Sequence, residues 1–126
     1  MSIKVEHLEF TYFEDRKNIL CDLSAEFDAG EITILTGASG CGKSTLLYLA
    51  AGIYPHSAGI LRSGSVSVEG VRPDSLTASK RCALVGMMFQ NPELQFCMDT
   101  VEHELLFCLE NICTPREEMM EKVDGA

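Results

Sequence analysis

The chain has 126 residues, enough for one domain or part of one, and a hydrophobic content of 46%, ordinary for a globular core. Nineteen acidic against ten basic side chains leave a formal net charge of −9, which argues against nucleic-acid or anionic-lipid surfaces built from clustered Lys and Arg. No apolar run is long enough to span a membrane, the N-terminus does not read as a secretion signal, and the six cysteines show neither CxxC pairing nor zinc-ligand spacing, so reduced cytosolic thiols are expected.

In chain order, Ile3–Phe10 alternates apolar and polar positions and predicts a strand with Ile3, Val5, Leu8 and Phe10 inward. Asp15-Arg16-Lys17-Asn18 predicts a polar turn, and Ile19–Phe27 a second strand that pairs with the first as an antiparallel ribbon. After the turn Asp28-Ala29-Gly30, the β-branched run Ile32–Thr36 predicts a strand buried on both faces. Ser44–Ala51 predicts a helix, closed by Gly52 in the left-handed conformation. Tyr54–Gly64 holds Pro55, Gly59 and Gly64 and predicts loop, and Ser65–Glu69 predicts a strand ended by Gly70.

Arg81–Phe89 is almost continuously apolar and predicts a second buried strand, broken by Gln90-Asn91-Pro92-Glu93. Thr100 is placed to cap a helix over Val101–Asn111, with Val101, Leu105, Cys108, Leu109 and Ile112 on one side. Pro115 predicts the first position of a last helix, with Glu117 completing a capping box. That helix has only about nine residues, marginal in isolation, which predicts a chain cut short.

The strongest chemical signal is Gly37-Ala38-Ser39-Gly40-Cys41-Gly42-Lys43-Ser44-Thr45, which satisfies G-x-x-x-x-G-K-[ST] between a predicted strand and a predicted helix. Glycines let successive backbone N–H groups curl round a phosphate, and the helix aims its free N–H groups and positive dipole end at the same anion. Lys43 adds a full charge for the β- and γ-phosphates, Ser44 a hydroxyl for Mg²⁺, and Thr45 a bond to the α-phosphate of ATP. Elsewhere His7, His56 and His103 share no ligand spacing. Glu102, Glu104, Glu117, Glu118 and Glu121 read as a solvated acidic helix face.

Several further stretches carry a family resemblance: Phe10-Thr11-Tyr12, Ile19-Leu20-Cys21-Asp22-Leu23-Ser24, Ser57-Ala58-Gly59, and Val85–Pro92. Together with the phosphate loop they resemble the ATP-binding domain of ABC transporters over roughly residues 3–122. Phe89–Gln95, Thr100-Val101-Glu102-His103-Glu104 and Leu109-Glu110-Asn111 are similar to the energy-coupling-factor and cobalt-type importers. The resemblance implies an α/β P-loop NTPase: the N-terminal half of a RecA-like core with an antiparallel β ribbon, stopping before the signature and Walker B elements. It divides residues 1–126 into β elements up to the P-loop strand (1–36), P-loop and helix (37–52), β elements to the Q-loop (53–90), and Q-loop with the start of a helical subdomain (91–126).

The resemblance also implies roles. Tyr12 stacks on adenine, whereas the residues alone favour a core aromatic at the strand end. Gln90 reaches Mg²⁺ and the attacking water, so that Lys43 and Gln90 are the catalytic candidates, although a solvated turn residue is the reading without the family. Residues 91–104 face a transmembrane subunit, and a second ATPase subunit completes a homo- or heterodimer on the inner face of the cell membrane, in the cytoplasm, with no nucleic acid. The implied function is ATP-driven import of a vitamin or metal ion. No signature sequence and no apolar strand ending in Asp-Glu is present, so the alternatives are an ATP–Mg²⁺ binding fragment without hydrolysis, or another P-loop NTPase. Strands 32–36 and 81–89 would lack sheet neighbours, which predicts strand exchange between copies or a poorly stable monomer.

Overall fold

Alternating apolar side chains build the middle of a three-stranded antiparallel sheet. In the computed structural model, which describes residues 2–126, β1 (Ile3–Thr11) lies between β2 (Leu20–Phe27) and β3 (Ile60–Val68). The expected ribbon is present: Ile3 faces Phe27 and Phe10 faces Leu20. Val5, Leu8 and Phe10 are all buried, which strict alternation forbids, since positions 5 and 8 lie on opposite faces. A bulge resolves the conflict. His7 takes a φ of +46°, the register to both neighbours shifts there, and its N–H leaves the ladder to bond Ser24 Oγ at 3.0 Å.

The loop expected over Tyr54–Gly64 is shorter than the sequence suggests. β3 already begins at Ile60, with Gly64 inside it, because that glycine crosses the β1 bulge rather than turning the chain. α1 (Lys43–Ala50) buries Thr45, Leu46, Leu49 and Ala50, one helical stripe, and its leucines join Val5, Leu8, Phe10, Leu20 and Val66 in the core. Gly52, at φ +68°, closes the helix in the left-handed form its sequence position predicts.

The strand expected over Ile32–Thr36 does not form. Ile32 is 96% exposed and Ile34 81%, and no strand pairs with this segment among the described residues. β-branched residues favour an extended backbone, but an extended backbone becomes a strand only where a neighbour accepts its hydrogen bonds. Thr33 and Leu35 still line one side of an apolar groove of about 250 Å³, whose other walls include Ile3, Phe27 and Leu46. Such an edge is adhesive. The purified chain is therefore expected to self-associate or to unfold readily, and Ile34→Lys to reduce association. Light scattering after size exclusion checks this, and a compact, stable wild-type monomer would contradict it.

The residues divide into two compact units, one ending at Leu76 and the other running from Thr77 to Ala126. The second unit corrects the other strand expectation. Its first element is α2 (Ala78–Leu84), and the extended segment 85–89 follows without a partner strand among the described residues. An apolar run does not by itself separate helix from strand, and Ala78, Lys80, Arg81, Ala83 and Leu84 are strong helix formers.

α3 (Val101–Asn111) has the predicted bounds, and Thr100 Oγ1 accepts from His103 N at 3.3 Å as its cap. Its apolar side differs from expectation: Leu105, Leu106, Phe107 and Leu109 are half-buried, whereas Val101 is exposed. α4 (Arg116–Asp124) starts one residue later than predicted. Pro115 has an extended ψ of 136° and occupies the cap position itself, so Thr114 falls outside the helix and no side chain caps it. Thr114 instead gives its N–H to Leu109 O at 3.0 Å. The capping box with Glu117 is absent for that reason.

Candidate phosphate-binding site

The glycine-rich segment runs from Gly37 into the first turn of α1. Gly42 stands at the cap with φ +98°, and a Cβ there would meet Leu20 Cδ2 at 2.8 Å and Ile19 Cγ2 at 3.1 Å. Only glycine lets the loop approach β2 this closely while turning left-handed. The first bond inside the helix runs from Leu46 N to Gly42 O, 2.9 Å, so the N–H groups of Lys43, Ser44 and Thr45 have no acceptor within the helix. They form the positive end of the helix dipole, where an anion is stabilised.

Lys43 folds back over this opening. Its Nζ donates to Gly37 O and Ala38 O, both at 2.8 Å, and lies 3.6 Å from Cys41 Sγ. One ammonium thus ties both limbs of the loop together. A bond from Cys41 N to Ala38 O, 3.3 Å, closes the turn between them. Ser39, Gly40 and Ser44 are exposed, with Ser44 on the first helical turn.

Tyr12 follows β1 and reaches the same helix. Its hydroxyl and Thr45 Oγ1 share a hydrogen bond of 2.7 Å. Its ring meets Phe10 and Tyr54 edge-on, at centroid distances of 5.4 and 5.8 Å. Burial, followed by the hydrogen bond with Tyr12, pushes the Tyr54 phenol above its ordinary value, so that ring stays neutral at physiological pH. The fold therefore gathers Tyr12, Gly37, Ala38, Cys41, Lys43 and Thr45 through direct bonds.

Gln90 belongs to the second unit and is exposed at the end of segment 85–89, not at the end of a buried strand. One residue that sequence reasoning did not single out shapes its surroundings. Gln95 Oε1 accepts from Phe89 N at 2.8 Å, and its Nε2 donates to Met87 O at 3.1 Å. This side-chain amide imitates a neighbouring strand and keeps the chain extended into Gln90.

Glu104, expected on a solvated face, instead accepts the N–H groups of Cys97 and Met98 at 2.9 and 2.8 Å. Its place in the first turn of α3, close in sequence to an irregular segment, is the one signal for that anchoring. Glu104→Ala is expected to speed amide exchange at residues 97 and 98 at least about fivefold, since it frees two charge-assisted bonds. Hydrogen–deuterium exchange reads this directly, and unchanged protection at both amides would refute it.

No group of three or more His, Cys, Asp or Glu side chains able to hold a metal occurs among the described residues. Among the described residues no helix is long and apolar enough to cross a membrane. All six cysteines are free and exposed.

Known proteins share this arrangement. The chain superposes on cbiO1 of Clostridium perfringens, described as part of the ABC transporter complex cbiONQ, with a TM-score of 0.74 and 28% identity over 98% of this chain and 47% of that one. The fold is accordingly that of an α/β P-loop NTPase. YkoD of Bacillus subtilis, named for HMP/thiamine import, is 42% identical over 98% of this chain and 23% of its own length. The energy-coupling factor transporter ATP-binding protein EcfA1 of Lacticaseibacillus paracasei is 39% identical over 98% of this chain and 43% of its own. This chain spans between 19% and 44% of the length of the curated relatives it matches. Residues 20–125 match the family model described as ABC transporter, and the chain belongs to the ABC transporter family.

Proposed function

We propose that these residues are the ATP-binding part of a transport ATPase, holding the polyphosphate of ATP between the Gly37–Thr45 loop and Lys43. The observation that carries this reading is the pairing of unbonded N–H groups at the start of α1 with the Lys43 ammonium folded across them. Lys43 gives up its two carbonyl partners for β- and γ-phosphate oxygens. Thr45, and the N–H groups beside it, take the α-phosphate. Tyr12 lays its ring on adenine.

The exposed Ser44 hydroxyl is the oxygen in the loop that would hold Mg²⁺ together with the nucleotide. Such an ion would supply neutralisation of phosphate charge. Gln90 is the second candidate for that ion and for the attacking water.

Hydrolysis in this family uses an acidic base and a signature loop that this sequence does not contain, so binding is the activity assigned to these residues. Turnover depends on groups supplied from elsewhere. Relatives named for HMP/thiamine import and for energy-coupling factor transport support an import role; on this reading the solute is a vitamin or metal ion, residues 91–104 meet a transmembrane subunit, and a second ATPase subunit lies opposite. On this reading the protein works in the cytoplasm, peripheral on the inner face of the membrane.

Calorimetric titration with ATP in the presence of Mg²⁺ tests the reading. Saturable binding with a rise in melting temperature supports it. An unmoved melting point and no heat would remove it.

A further inference from the structure

The turn that presents Tyr12 is held from a distant strand. Residues 12–17 follow β1 without a regular partner, and their carbonyls have to be satisfied locally. Buried Thr11 supplies part of this: its Oγ1 donates to Phe13 O at 2.9 Å and accepts from Phe13 N at 3.3 Å. Thr11 Oγ1 also lies 3.5 and 3.4 Å from Arg16 O and Lys17 O, and Arg62 in β3 adds the long-range hold, its Nη2 donating to Glu14 O at 2.6 Å and Arg16 O at 3.3 Å. Arg16 in turn lies 5.7 Å from the centroid of the Phe13 ring.

We propose that Arg62 is a positioning residue for adenine recognition. It fixes the turn on which Tyr12 sits, so that the ring is presented at a constant height beside Thr45. The proposal rests on the ATP-binding reading above. A guanidinium suits the task because the two N–H bonds of its Nη2 lie in a fixed plane and serve two carbonyls from one nitrogen, whereas the N–H bonds of an ammonium rotate on a flexible stem. Arg62 makes its bonds to the turn and none to the phosphate loop, so its effect falls chiefly on the base, with the Tyr12–Thr45 hydrogen bond as the one link to the phosphates.

That separation defines the experiment. The affinities of ATP and of inorganic tripolyphosphate, each with Mg²⁺, are measured by calorimetry for wild type, Arg62→Ala, Arg62→Lys and Tyr12→Ala. Arg62→Ala is expected to weaken ATP about 5- to 10-fold, part of the value of one stacked base, while tripolyphosphate binds as in wild type. Arg62→Lys recovers part of the loss. Combining Arg62→Ala with Tyr12→Ala adds little to Tyr12→Ala alone, because both act through one ring.

Retained tripolyphosphate binding also reports that each variant is folded. Equal losses for both ligands would make Arg62 a general structural residue and overturn the proposal. Unchanged ATP affinity in Arg62→Ala would overturn it as well, while leaving the ATP-binding reading intact. Failure of the wild type to bind either ligand would instead remove that reading, and this proposal with it.

Discussion

Lys43→Ala is expected to weaken binding of a fluorescent ATP analogue about 10- to 100-fold, the range that charged hydrogen bonds of about 1.5–3 kcal/mol correspond to. The structure separates this effect from unfolding. Lys43 Nζ bonds the carbonyls of Gly37 and Ala38, and both residues are exposed, so water replaces the ammonium when it is removed. Stability should change by no more than about 0.5 kcal/mol, as for other surface substitutions away from the core. A phosphate in the loop has no such substitute, since water cannot neutralise it. Lys43→Arg is expected to recover only part of the loss, because the bulkier planar guanidinium does not occupy the place of the compact ammonium held within the loop. Equal affinity for wild type and Lys43→Ala, at unchanged melting temperature, would sink the assignment of the loop.

The phosphate loop was legible because its chemistry is local. Gly42, Lys43 and Thr45 are specified by a short spacing, and the helix they open is specified by the leucines that follow. Nothing distant is required. The hydroxyl pairing of Tyr12 with Thr45 was not legible, because it joins residues 33 positions apart across the sheet. The same holds for Arg62 and for Gln95, whose partners are backbone carbonyls and amides that carry no residue signature.

Segments 32–36 and 81–89 failed differently. Their composition reports a preference for burial, and a preference becomes a strand only when another strand lies alongside. In the first segment every residue is exposed, Ile32 and Ile34 most of all; Thr33 and Leu35 still line the groove, but no ladder forms among the described residues. In the second the helix propensity of residues 78–84 prevails. Gly64 misled in the opposite direction. Glycine usually punctuates a chain, as Gly59 does just before β3, whereas Gly64 lies within that strand.

Gly64→Ala follows from that misreading and should be the most destabilising single methyl in the first unit for which a reason can be given from the backbone. Gly64 has φ +80°, and a Cβ would stand 2.3 Å from the carbonyl oxygens of both Glu6 and His7. These atoms belong to the bulge in β1, so they cannot swing aside as a side-chain tip can. Adopting the left-handed form costs a residue with a Cβ about 1–2 kcal/mol. Forcing a methyl into packed backbone adds about 1–3 kcal/mol.

A total of about 2–5 kcal/mol is a large share of the stability of a small domain, about 5–15 kcal/mol, and should lower the melting temperature by about 10 °C or more. Gly70→Ala is the control. Its φ of +74° is the same kind of strain, but nothing lies within 4 Å of the added carbon. Equal losses in the two variants would show that conformation alone, and not the crossing of the bulge, demands glycine at position 64. The consequence reaches the binding site, because β1 leads directly into Tyr12 and its Val5, Leu8 and Phe10 pack against the leucines of α1. Prising β3 from β1 therefore loosens both the aromatic ring and the helix that opens the phosphate loop, and ATP affinity should fall in Gly64→Ala while it holds in Gly70→Ala.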